Sequence, residues 1–217
     1  MLLSITIIML SFKDPRIKLI GIGGMARSGK DSLGDAIVAK LSQNKEIVVI
    51  KESFAFCLRE ELKDIVRDYF DIDVYTQQDA PKTLLRPILT HWTDLHRKQT
   101  QGTYFWSKTK ERIENLIKIY PDGKQFIILL SDLRFAEYEN DEIDFINANG
   151  LSIHLSKSKN GVPIEPPNDF EAKNDPILKK MSKIQISWEH FGENKEGFSA
   201  ELDKYSDLVI KELAKNV

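Results

Sequence analysis

The stretch "GIGGMARSGKDSLGDAI", residues 21–37, constrains this chain more than any other. An apolar run, "KLI", precedes it, and Leu33, Ile37 and Leu41 follow at four-residue spacing. A buried strand must therefore turn within a few residues into an amphipathic helix. The turn has Gly-x4-Gly-Lys spacing, from Gly24 to Gly29 and Lys30. Glycine at both ends permits dihedrals and close backbone approach that other residues resist. Consecutive N–H groups of Met25, Ala26, Arg27 and Ser28 then point inward around an anion, and the helix start adds the positive end of its dipole. Strand before and helix after is the context that a phosphate loop requires. A glycine turn carrying a surface lysine is the plainer alternative.

Where the usual loop has Ser or Thr after the lysine, this chain has Asp31, with the hydroxyl one residue later at Ser32. The nucleotide contacts expected here are Gly24, Met25, Ala26, Arg27, Ser28, Gly29, Lys30, Asp31 and Ser32. Lys30 would span the β- and γ-phosphates, and Arg27 would reach the transferring phosphoryl oxygens. Asp31 is a hard oxygen donor that suits Mg²⁺ directly or through water, although an acid in a first helical turn also simply suits the dipole. Ser32 and Asp132, at the end of the strongest strand, complete the expected metal set.

The rest of the chain alternates strands with helices. Strand-like runs occur at 18–24, 46–50, 125–132 and 151–155, and "DLVI" in the tail reads as a last short strand. Leu58, Leu62, Ile65 and Tyr69 make one helical stripe, Pro87 reads as a break or kink, and Gly150 closes a helix. The alternation predicts a single three-layer α/β domain over 17–217, its parallel sheet flanked by helices on both faces. Residues 1–16 form an N-terminal extension, a short extra strand or a partner-seeking segment. Residues 156–183, rich in Lys, Asn and Pro, read as a lid or mobile loop, with Lys157 and Lys159 able to close over a nucleotide.

Composition excludes several classes. Lys plus Arg is 31 against 33 Asp plus Glu, so a net charge of −2 supplies no global attraction to nucleic acid. The largely apolar opening of ten residues is too short to span a membrane. The single Cys57 rules out an internal disulfide and fits a reducing, cytoplasmic compartment. The four histidines are scattered, and no nucleophile–base constellation is apparent.

"ARSGKDS" resembles the phosphate loop of the bacteriophage-type deoxynucleoside monophosphate kinases, and further segments agree in order. "ESFAFCLREEL" is similar to the family's Ser-Phe-Ala-x-Pro-Leu-Lys segment, with Cys57 for Pro and Arg59 for Lys. "GTYFWSKTKERI" matches a Trp-led helix start, and "IILLSDLRFAEYENDEI" a strand end with Asp132, Arg134, Phe135 and a following glutamate. The resemblance covers roughly 18–155; His91, Trp92 and "SWEHFGEN" depart from the family pattern, which bears on the base accepted more than on the reaction. It implies a three-layer P-loop kinase fold and transfer of the ATP γ-phosphoryl, with Mg²⁺, to a nucleoside or deoxynucleoside 5′-monophosphate. Lys30, Arg27, Asp31 and Arg134 would be catalytic, and Arg59, Arg86, Trp106, Asp132, Arg134 and Glu137 would hold the acceptor. Arg134 would grip the acceptor phosphate with Glu137 locking it, and Trp106 would stack on a base beside Tyr104 and Phe105. The competing assignments are a turn cap for Asp132, a surface ion pair for Arg134 and a core aromatic for Trp106. Small-molecule nucleotides are the expected partners, with neither nucleic acid nor membrane, and a homodimer is one assembly open to the chain. A phosphomevalonate-type kinase shares a Ser-Gly-Lys-Asp loop, and a non-catalytic ATP- or GTP-binding regulator is the rival from another class.

Overall fold

A computed structural model describes residues 10–192 and 194–215. The strands are β1 (Ile17–Gly23), β2 (Ile47–Glu52), β3 (Gln125–Leu133), β4 (Gly150–Lys159), β5 (Val162–Pro163) and β6 (Ile184–Glu189). The helices are α1 (Lys30–Leu41), α2 (Phe54–Phe70), α3 (Asp79–Thr100), α4 (Tyr104–Leu116), α5 (Glu142–Asn149), α6 (Asp169–Met181) and α7 (Lys195–Lys215).

The sheet runs β2-β3-β1-β4, with β6 pairing parallel to β4 and the short β5 antiparallel at the end of β4. All other pairings are parallel. Both faces are covered, as the continuous apolar runs require. In β3, Phe126, Ile128 and Leu130 face α4, α5 and Leu178 of α6, while Ile127 and Leu129 face α1 and α7. A third cluster, with Leu58, Leu62, Val66, Leu85 and Phe105, joins α2, α3 and α4 into a helical unit of its own. Because β1 leads to β2 on one side and β3 leads to β4 on the other, the segments after β1 and β3 leave the sheet in opposite directions. In open α/β sheets that divergence makes a crevice at the carboxyl ends of the strands.

Several local expectations are corrected. "DLVI" is not a strand but part of α7, whose Phe198, Leu202, Tyr205, Val209 and Leu213 recur at helical spacing against the sheet. Four apolar residues carry too short a window to separate the two periods. The buried stripe of α2 is Phe54, Leu58, Leu62 and Val66, while Ile65 and Tyr69 are 43% and 81% exposed. Pro87 does not break α3: it lies on an exposed face, where water can satisfy the carbonyl its missing N–H leaves free. Residues 156–183 are largely regular, comprising the end of β4, β5 and α6. The apolar opening, residues 1–9, lies outside the described residues. The rest of the extension runs onto the core, with Leu10 buried and Phe12 against Phe145 at 5.6 Å.

One buried ion pair ties the helical unit to the sheet. Arg97 of α3 donates two hydrogen bonds to Asp141, at 2.8 and 2.9 Å, with the two side chains 3% and 0% exposed. Asp141 also accepts from the backbone N–H of Glu137, Tyr138 and Glu142 and caps α5. Arg97 lies over the Phe135 ring at 3.5 Å. Removing one partner leaves a charge in a dry interior, which typically costs about 3–5 kcal/mol. Asp141→Ala should therefore lower the stability read from urea unfolding by about that much, whereas Lys173→Ala, which removes an exposed pair with Glu137, should cost under about 1 kcal/mol. Equal losses would show that the buried pair does not hold the two units together.

Candidate functional site

The loop between β1 and α1 is shaped by close approach. Gly24 has φ 127° where a Cβ would stand 2.3 Å from the Leu155 carbonyl oxygen, and Gly29 has φ 101° where it would meet the Trp188 ring at 2.6 Å. No other residue type fits either position without moving backbone or a buried indole. Trp188 also donates its indole N–H to the Ser28 carbonyl at 2.9 Å, so β6 supports the loop from below. Between the glycines, Arg27 takes a left-handed φ of 62°, and Ser28 donates its N–H back to the Met25 carbonyl.

Lys30 folds back over this loop, donating to the carbonyls of Gly24 and Met25 at 2.8 and 2.7 Å. Burial and the nearby positive charge of Arg134 lower its pKa, and Glu171, Asp31 and Asp175 oppose them. The loop also holds an oxyanion. The Ala26 N–H donates to the Glu171 carboxylate of α6 at 2.6 Å. Gly24, Met25, Ala26, Lys30, Arg134 and Glu171 line a cleft of about 20 Å³ here, room for roughly one water.

The expected site residues divide. Gly24 through Ser32 share one end of the sheet, and Arg134 lines the same cleft as Lys30 with an exposed side chain. Asp31 accepts from the Ser131 hydroxyl at 2.7 Å through one oxygen, and its other oxygen makes no hydrogen bond among the described residues. The Ser32 hydroxyl, half-buried, makes no hydrogen bond among the described residues. Asp132 is bound up in structure. Both its oxygens receive donors from the start of α2: Ser53 Oγ, Phe54 N and Ala55 N. Of the expected metal set, Asp31 keeps a free oxygen and Asp132 serves as the helix cap.

Other assignments change. Trp106 is 4% exposed, stacks on Phe145 at 5.1 Å and donates to the Asn140 carbonyl, so no face remains for a base. Glu137 pairs with Lys173 at 2.5 Å and not with Arg134. The Arg134 backbone is instead held by Glu142, which accepts its N–H at 3.1 Å. Arg59 and Arg86 sit on the helical unit; Arg59 lies over the Tyr75 ring at 5.7 Å, and Arg86 is exposed. Lys157 points at the loop, 3.4 Å from the Arg27 carbonyl.

Several residues were not singled out from the sequence. Glu171 lies in the stretch read as a lid, although "NDFE" is a helix-start pattern: the Asn168 side chain caps α6 by accepting the Glu171 N–H. Folding also lines up Ser156, His154 and Asp175, contrary to the expectation of no such constellation. His154 Nε2 is 2.9 Å from Asp175 and its Nδ1 is 3.3 Å from the Ser156 hydroxyl. The imidazole is 1% exposed with both nitrogens engaged, so it acts as a tie between β4 and α6. Such pairings across sequence carry no local signal.

Among the described residues no helix is long and apolar enough to cross a membrane, and no group of three or more His, Cys, Asp or Glu is placed to hold a metal ion. No protein-family model matches the chain, and no curated protein matches it.

Glu142 adds a pH dependence. It is 2% exposed, and burial first, then the Asp141 charge, push its pKa well above the ordinary glutamate value of 4.5, with Arg97 opposing. The folded state therefore keeps a proton that the unfolded chain has released, so the contribution of Glu142 to stability is fully present below 4.5 and is lost as pH rises into the window above it. Glu142→Gln retains an acceptor for the Arg134 N–H and removes this titration. Its melting temperature should fall less than wild type's between pH 5 and pH 8; parallel curves would show that Glu142 does not carry the effect.

Proposed function

We propose that the chain is a P-loop phosphotransferase that moves the γ-phosphoryl of ATP, with Mg²⁺, to a nucleoside or deoxynucleoside 5′-monophosphate. The observation that carries this reading is the oxyanion already on the loop: the Glu171 carboxylate bonded to the Ala26 N–H, between glycines that admit no side chain and beside Lys30. A phosphate oxygen would take the same donor. Lys30 would exchange its two carbonyl partners for β- and γ-phosphate oxygens and offset charge as the phosphoryl moves. Asp31 would hold Mg²⁺ through water, and the metal would supply further neutralisation of the phosphate oxygens.

Arg134 extends from the segment that leaves the sheet opposite to the loop, so it would face the transferring group from the acceptor's side. Its planar fork suits a bidentate grip on phosphate. Arg59 and Arg86 of the helical unit are further candidates for the acceptor. Transfer between two bound phosphates needs positioning and charge neutralisation rather than a nucleophile–base pair.

A panel of nucleoside monophosphates and phosphomevalonate, assayed for ADP release, discriminates the readings. Release stimulated by one class of nucleotide is expected; stimulation by phosphomevalonate alone, or slow release whatever the acceptor, would overturn the proposal. Lys30→Ala should reduce turnover at least about a hundredfold in a chain that still folds. Arg134→Ala should raise the acceptor KM about tenfold or more and leave the KM for ATP near wild type.

A further inference from the structure

Helix α6 straddles the site. Its first half is attached to both diverging segments by small contacts: Glu171 to the Ala26 N–H, the Phe170 ring edge-on to Phe135 at 5.2 Å, and Lys173 to Glu137. Asp175 adds the tie to His154. Its second half is anchored in the core, with Leu178 3% exposed and Ile177 and Met181 packed beside it. Pro176 separates the halves. Proline has no N–H to offer the Ala172 carbonyl, so the helix is weakest between the part that touches the loop and the part that is fixed. Where the two halves meet, Asn174 is 2% exposed and its side-chain oxygen has no hydrogen-bond partner, an unusual arrangement for a buried acceptor.

The cleft under this helix encloses room for about one water, and the Ala26 N–H within it is already taken by the Glu171 carboxylate. We propose that α6 is a self-inhibitory latch in which the Glu171 carboxylate occupies a polyphosphate oxygen's seat on the Ala26 N–H, so that nucleotide enters only as that carboxylate leaves and the first half of α6 swings about Pro176. The inference rests on the nucleotide-binding reading of the same loop. A competing internal anion weakens apparent affinity by the population of the closed form, and its removal returns that factor. The proximity of like charge adds to it, since a triphosphate approaching Lys30 also meets Glu171 and Asp175.

Titration of the full chain with MgATP, for wild type, Glu171→Gln and Glu171→Ala, tests the latch. The amide resonance of Ala26, followed without ligand, reports the seat directly. The expected result is a shifted Ala26 resonance in both variants and at least tenfold tighter MgATP binding by Glu171→Ala, with Glu171→Gln between it and wild type. Glu171→Gln keeps the helix start intact, so its behaviour stands even if the alanine variant folds poorly. An unmoved Ala26 resonance, or binding by the variants no tighter than a measurable wild-type value, overturns the latch and leaves the nucleotide reading in place. Binding by the variants alone supports the latch. No binding by any of the three overturns the nucleotide reading, and the latch with it.

Discussion

The passage of the chain from β1 past the Leu155 carbonyl is the constraint from which the site follows. With a would-be Cβ at Gly24 only 2.3 Å from that oxygen, the strand can turn there only as bare backbone. The turn then exposes N–H groups in place of side chains, and α1 begins five residues later on a second glycine pressed against Trp188. Trp188 belongs to β6, so the outermost parallel strand and the central one shape a single loop between them. Sheet closure and loop geometry are thus one packing problem. Burying β1 on both faces supplies apolar stabilisation that holds the turn, with its left-handed Arg27, in place.

Charge is arranged around that loop as a compensated set. Lys30 and Arg134 lie close enough to repel, and Glu171, Asp31 and Asp175 offset them from α6 and the start of α1. Burial and the Arg134 charge disfavour the charged form of Lys30, and these three carboxylates oppose them. Away from the cleft the Arg97–Asp141 pair performs the structural work, fixing the segment that carries Arg134 through three backbone donors of the same turn. Glu142, one residue on, then receives the Arg134 N–H itself. Position and charge are therefore divided between adjacent acids: one holds the segment and the other holds the residue.

Legibility followed the range of the signal. The β1–loop–α1 unit, the alternation as far as β4 and the strand ending in Asp132 are local patterns that fall where their periodicity places them, whereas α6, β6 and α7 lie where the sequence reads as a loop, nothing regular and a short strand. Failures occurred where a window was short or a partner distant. "DLVI" looks like a strand when taken alone and is helical once Phe198 and Leu213 are counted with it. Trp106 at a helix start reads as a base platform or, more often, as core, and Phe145, distant in sequence, decides for core. Asp132 carries the chemistry of a metal ligand, yet Ser53 and the first two backbone N–H groups of α2 hold its carboxylate.

By itself the sequence determined that a buried strand must reach a helix through a glycine-bounded turn ending in a lysine, because spacing and backbone freedom are properties of neighbouring residues. Only the tertiary structure decided what stands opposite that turn. Glu171 and Arg134 are separated from Ala26 along the chain by most of the fold, and nothing local in either segment specifies that they share a cleft with it. Their meeting is set by strand order, which sends the segments after β1 and β3 apart and returns α6 across the gap.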